Sequence, residues 1–169
     1  SIFQTAMSEK VRIFRVGGAS RAETVRNGVS VLLEQGLAEA QDNILVHDAA
    51  RCCLPAEALT RLLDEAGEND EGGILAIPVA DTLKRSDRNH HIDETVARAG
   101  LWQAQTPQLF QTALLHRALS VDDLSEITDE ASAIEKLGIR PRLVQGDTRN
   151  LKLTLPQDEY IVRLLLKAV

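Results

Sequence analysis

The residues best placed to do chemistry stand at the end of one aliphatic run. Ile44-Leu45-Val46 leads into His47-Asp48-Ala49-Ala50-Arg51. In open α/β sheets ligands collect outside the carboxyl ends of the strands, and Asp48 would stand there. Ala49 and Ala50 have almost no side chain, so a flat ligand could lie against that backbone. Taken alone, Asp48 could equally organise a turn before the next helix. A second candidate is Gly17-Gly18-Ala19 followed by Ser20-Arg21-Ala22-Glu23. Glycines before a helix N-terminus make a ready anion site, although two glycines alone also describe an ordinary strand-to-helix turn. His90-His91 could suggest a metal, but neighbours on a strand face opposite ways. Cys52-Cys53 are adjacent, which makes an ordinary disulfide awkward. They read as small buried residues of a reduced, cytoplasmic protein.

The elements that must position these groups follow from periodicity. Ile44–Val46 reads as a short strand buried on both faces. Val11–Val16 and Ile74–Val79 are further strand candidates, whereas Ser1–Lys10 has no clear period. Ser20 and Glu23 form a capping box for a helix with Val25, Val29, Leu32 and Leu33 inward, ended by Gly36. Pro55 opens a helix with Leu59, Leu62 and Leu63 on one side. Asp81–Arg98 reads as a hairpin with a polar tip, too poor in apolar residues to be stable alone. Leu101–Gln105 returns to the sheet, and Thr106-Pro107-Gln108 is expected to turn the chain into a helix with Leu114, Leu115 and Leu119. Thr128 is expected to cap the next helix, with Ile134 and Leu137 as its apolar face and Gly138 as its stop. Arg142–Val144 and Asn150–Leu153 read as short strands. Pro156 opens a last helix with Tyr160, Ile161, Leu164 and Leu165 inward. This alternation predicts an α/β fold, a mostly parallel sheet with helices on both faces.

Composition narrows the class. With 169 residues the chain reads as one domain, 1–169, large enough for a real core. A net charge of −6 disfavours nucleic acid as a partner, and five scattered aromatic residues form no base-stacking platform. No apolar run approaches the ~20 residues of a membrane span, and no signal peptide is visible.

Six motifs recur in one order: Gly17-Gly18 with Arg21, Val46–Arg51, Asp81-Thr82-Leu83-Lys84-Arg85, Gln105-Thr106-Pro107-Gln108, Ile127–Ser132 and Asn150–Thr154. As a series they closely resemble the 2-C-methyl-D-erythritol 4-phosphate cytidylyltransferases of the non-mevalonate isoprenoid pathway, from about Val11 to the C-terminus. The resemblance implies a Rossmann-like nucleotide-diphospho-sugar transferase fold with a protruding β-arm, about 79–100, through which a homodimer forms. It implies transfer of the cytidylyl group of CTP to methylerythritol phosphate, releasing pyrophosphate with Mg²⁺. Residue by residue, Gly18, Thr24, Asp48 and Ala49 match positions around the cytidine. Lys152 matches the lysine beside the reacting phosphates. Thr82 and Arg98 match arm residues that reach the partner subunit's site, and Thr106 and Thr128 match threonines of the sugar-phosphate pocket. Asp48 is also the candidate Mg²⁺ ligand.

A substrate phosphate is the nucleophile in that reaction, so no Ser/His/Asp or Cys/His set is required. Lysine, arginine and a metal supply positioning and charge neutralisation. Taken singly, Lys152 and Arg98 could be surface cations, Thr128 an N-cap and Thr82 a strand residue. The family also begins with a glycine-rich loop bearing an arginine and a lysine, and none precedes Val11 here. The N-terminal βα unit is thus expected to be missing. A cytidylyltransferase for another polyol phosphate, such as ribitol 5-phosphate, and a non-catalytic dimeric nucleotide-binding fragment are the rival readings.

Overall fold

The structure, a computed structural model, describes residues 10–167. All of the aperiodic Ser1–Lys10 stretch except Lys10 lies outside them.

Alternating aliphatic residues build one sheet with two buried faces. Strands β1 (Asn43–Val46), β2 (Gly73–Pro78), β5 (Trp102–Gln111) and β6 (Arg142–Gln145) lie in the order β1-β5-β2-β6. β1 and β2 each run antiparallel to β5, and β6 runs parallel to β2. Three of these strands therefore point one way, as the alternation predicts, and β5 is inserted against them. Ile74 and Phe110 face a cluster with Val29, Leu115, Leu119 and Ile134. Their neighbours Leu75 and Leu109 face the other side, with Val144, Ala58, Leu62 and Ala66. That one-residue alternation is what the pleat demands, and it puts helices on both faces.

Helices α1 (Arg21–Glu34), α3 (Thr112–Leu119) and α4 (Glu130–Glu135) cover the first face, and α2 (Ala56–Ala66) covers the second. Helix α5 (Asp158–Lys167) ends the described chain. Gly72, with φ of 71°, passes so close to Phe110 and the Leu109 carbonyl that a Cβ there would collide with both. β3 (Leu83–Ser86) and β4 (Ile92–Val96) pair in a separate two-stranded sheet, the expected hairpin, with nearly all residues exposed. Its base is closed where the Val79 amide donates to the Leu101 carbonyl. No helix among the described residues is long and apolar enough to cross a membrane.

Several local expectations are corrected. Val11–Val16 is not a strand: no described strand lies alongside it, and Val11 and Ile13 are exposed. β1 is not buried on both faces, since Leu45 is 40% exposed, and among the described residues β1 pairs with β5 alone. Thr106–Gln108 does not leave the sheet, because β5 continues to Gln111. Asn150–Leu153 is not a strand: it has no ladder, although the Leu153 amide bonds to the Ala50 carbonyl at 2.8 Å. In α2 the buried stripe is Ala58, Leu62 and Ala66, and Leu63 faces out. Leu137 follows α4 and is exposed. α5 buries Val162 and turns Tyr160, Ile161 and Leu164 outward, since an apolar helix allows more than one inward face. Cys52 is exposed and Cys53 half-buried, so the pair is not a core element.

Candidate functional site

Pro107 carries no amide hydrogen and therefore fits a sheet only at an edge or a bulge. β5 bulges there: its pairing with β2 breaks between Ala104 and Gln108. The freed residues Gln105 and Thr106 take other partners. The Gln105 side chain donates through Nε2 to the Asp147 carbonyl at 2.9 Å, and the fully buried Asn150 donates through Nδ2 to the Thr106 carbonyl at 2.8 Å. Arg51 donates to the Asn150 carbonyl at 2.7 Å. The bulge thus anchors the 147–150 loop, and Lys152 follows two residues later.

Thr106 also orients Asp48. Its hydroxyl accepts the Asp48 amide at 3.0 Å and lies 3.1 Å from His47 Nδ1. His47 Nε2 lies 2.9 Å from the Arg51 carbonyl, which can only accept. Nε2 must then carry the hydrogen, and the Thr106 hydroxyl donates to Nδ1. The Arg51 amide closes the Asp48–Arg51 turn on the Asp48 carbonyl at 2.9 Å, with Ala49 exposed within it.

The Asp48 carboxylate sits between two cations. Arg21 Nε donates to Oδ1 at 3.0 Å, and Lys152 Nζ lies 3.0 Å from Oδ2. Burial pushes Asp48 up, but the hydrogen bonds from Lys152 and Arg21 outweigh it, and its pKa falls below the usual carboxylate range. Burial likewise lowers Arg21, yet its bonds to Glu130 and Asp48 raise it overall. Burial lowers Arg51, only partly offset by Asp48, and its buried Nε has no hydrogen-bond partner.

These groups line a cleft of about 240 Å³ with Thr106, Gln108, Thr128 and Asp129. It adjoins a second of about 370 Å³ that shares Arg51, Gln105 and Lys152 and runs along β5. A third, about 620 Å³, lies beyond the ends of β2 and β6 at the base of the arm. All three open at the carboxyl ends of parallel strands, where ligands of such sheets bind. The Thr106 hydroxyl pairs with His47, but it also accepts the Asp48 amide and so holds the Asp48 turn in place. What the cleft offers is anion binding, by two cations with free valence beside an ionised carboxylate.

Asp48, Thr106, Thr128 and Lys152 therefore come together. Gly18 and Thr24 meet at the start of α1, where the Gly18 amide donates to the Thr24 hydroxyl at 3.0 Å. Thr82 and Arg98 are exposed on the arm segment and do not line this cleft. Thr128 is not the cap of α4. Asp129 is, accepting the Ser132 amide at 2.9 Å while the Ser132 hydroxyl accepts the Asp129 amide. In α1, Ser20 accepts the Glu23 amide as expected, but Glu23 reaches back to Ala19. The cleft also takes in Arg21, Arg51, Gln105 and Gln108, and through Arg21 the buried Glu130, none of which has a local pattern that marks it as a site residue. Only their places inside the six motifs pointed to them.

No group of three or more His, Cys, Asp and Glu that could hold a metal occurs among the described residues. Asp48 can offer Mg²⁺ one oxygen, which suits an ion that takes one or two carboxylates plus substrate phosphates.

Comparison with known proteins gives the family. The family model for 2-C-methyl-D-erythritol 4-phosphate cytidylyltransferase matches residues 1–168. The enzyme of that name from Neisseria gonorrhoeae (strain NCCP11945) is 70% identical over 166 residues, covering 98% of this chain and 72% of the relative. The Laribacter hongkongensis protein of that name is 54% identical over 157 residues. A crystal structure of 4-diphosphocytidyl-2C-methyl-D-erythritol synthase superimposes with a TM-score of 0.88 at 70% identity, over 92% of this chain and 72% of that one. The Francisella tularensis cytidylyltransferase gives a TM-score of 0.79 at 33% identity, over 88% of this chain and 69% of that one. With the match spanning nearly every residue in sequence and in fold, the chain belongs to the 2-C-methyl-D-erythritol 4-phosphate cytidylyltransferase family.

Proposed function

We infer that this protein transfers the cytidylyl group of CTP to 2-C-methyl-D-erythritol 4-phosphate, giving 4-diphosphocytidyl-2-C-methyl-D-erythritol and pyrophosphate. The observation that carries this reading is the convergence of Arg21, Asp48, Arg51 and Lys152 on one cleft. A phosphate oxygen of the acceptor forms the new bond to the α-phosphorus of CTP, and the bond to the β-phosphate oxygen breaks. The protein's task is to hold two polyanions together and neutralise their charge.

Lys152 is the group beside the reacting phosphates, parked on Asp48 until they arrive. Arg51, which lines the cleft, offers its guanidinium to the acceptor's phosphate. Asp48, Ala49, Gly18 and Thr24 take the cytidine, with the Ala49 turn leaving backbone open to it. Thr128 is exposed at the rim and faces the sugar phosphate. Thr106 has committed its hydroxyl hydrogen to His47, so toward substrate it can only accept. Asp48 is the residue to hold Mg²⁺, which when bound neutralises triphosphate charge. Thr82 and Arg98 act from the arm of a second copy, in a cytoplasmic homodimer. Free thiols at Cys52 and Cys53 suit that reducing compartment.

The test is pyrophosphate release by the full-length protein with CTP and each of two acceptors. Turnover with methylerythritol phosphate at least a hundredfold above that with ribitol 5-phosphate is expected. A preference for ribitol 5-phosphate, or no turnover with either, overturns the reading.

A further inference from the structure

The ion pairs of the cleft continue into the core. Glu130 is 1% exposed and does not line the cleft. Both its oxygens are taken by Arg21, at 2.6 Å from Nη1 and 3.1 Å from Nη2. The same guanidinium donates through Nε to Asp48 Oδ1, and Asp48 Oδ2 holds Lys152. Negative and positive groups thus alternate from Glu130 to Lys152, with Glu130 the most buried member, Asp48 16% exposed and Lys152 the most exposed. The Arg21 side chain is 34% exposed and that of Lys152 46%.

The two ends therefore differ in freedom. A buried carboxylate cannot give up its cation without leaving an uncompensated charge, so Glu130 keeps Arg21 in place. A planar guanidinium with five donors can serve two carboxylates at once, which a single ammonium cannot. Lys152, a flexible stem in partial contact with water, is the member that can leave.

We propose that Glu130 and Arg21 are positioning residues that keep Asp48 paired and oriented, so that Lys152 can move from Asp48 to a substrate phosphate. This rests on the cytidylyltransferase reading above. If Lys152 were the only counterion of Asp48, its departure would strand a carboxylate beside incoming polyanions. With Arg21 clamped by Glu130, Asp48 keeps a hydrogen-bonded cation on Oδ1 and its orientation, and Lys152 is released to the substrate.

Two variants of the full-length protein separate positioning from folding. Arg21→Lys retains a cation for Glu130 but cannot bridge both carboxylates. Arg21→Gln with Glu130→Gln removes the buried pair together and strands no charge. Both are expected to melt close to wild type, with kcat lowered at least tenfold and KM for CTP changed no more than twofold. A second readout needs no turnover. Lysines are labelled by reductive ¹³C-methylation, and the Lys152 signal is assigned with Lys152→Arg and titrated with inorganic pyrophosphate. Wild type should shift at low pyrophosphate, and each variant should need at least tenfold more. Wild-type kcat and an unchanged titration in both variants would overturn the proposal. A loss of kcat matched by a fall in melting temperature in both would overturn it too, as a purely structural role. If wild type turned over no substrate, the function reading would fail while the pyrophosphate titration still judged the row of charges.

Discussion

At the scale of single residues, the site depends on a few polar groups that serve two partners at once. Thr106 spends its hydroxyl hydrogen on His47 and one lone pair on the Asp48 amide. Thr106→Val would leave both partners unsatisfied, at a cost of about 1–3 kcal/mol. Thr106→Ser should keep the bonds. The valine variant is expected to lose most turnover and the serine variant to keep most, read as kcat beside a urea melt. Asp48 carries a pH signature. Its pKa is lowered in the folded state, so its contribution is present above the unfolded value near 3.9 and lost as pH falls through the folded one. Asp48→Asn should therefore be less stable than wild type at pH 7, by about 1 kcal/mol given the part-exposed partners. The difference should shrink from about pH 5 downward. Denaturant midpoints across pH 3–7 check this, and a constant gap would refute it.

Elements show how far the sequence carried and where it stopped. Asp48 at a strand's carboxyl end, the Ser20 cap and the Asp81–Arg98 hairpin were legible, because each is written in a handful of neighbouring residues. The bulge at Thr106-Pro107 was not. A proline after a strand reads as a stop, and only β1 and β2 on either side show that the ladder resumes. Arg21 and Glu130 lie 109 residues apart, so no local pattern could join them. The cap of α4 was misplaced by one residue because Thr128 and Asp129 are both capping types. That assignment is measurable. Asp129→Ala removes the cap and should cost about 1 kcal/mol, roughly 2–4 °C in melting temperature for a domain of this size. Thr128→Ala should leave the melt unchanged and act on turnover alone. Equal losses of stability in the two variants would return Thr128 to the helix.

At the scale of the whole molecule, the cleft holds only part of what the reaction is proposed to use. Lys152 lines it, whereas Arg98 lies on a segment whose two strands, among the described residues, pair only with each other. Such a hairpin has too little apolar contact to be stable by itself, so packing against a second copy is the natural way to order it. In a closed two-fold dimer that exchange is reciprocal: each site combines Lys152 of one copy with Arg98 of the other. Full-length Arg98→Ala and Lys152→Ala homodimers should then both be nearly inactive. Unfolded and refolded together, about half of the dimers should be mixed, and each mixed dimer has one site with both native residues and one with neither. About a quarter of wild-type activity should return, as that two-fold exchange requires. If Arg98 served its own chain's site, every site in the mixture would lack one residue. Absence of recovery, with mixed dimers verified by mass, would then place Arg98 in its own subunit's site.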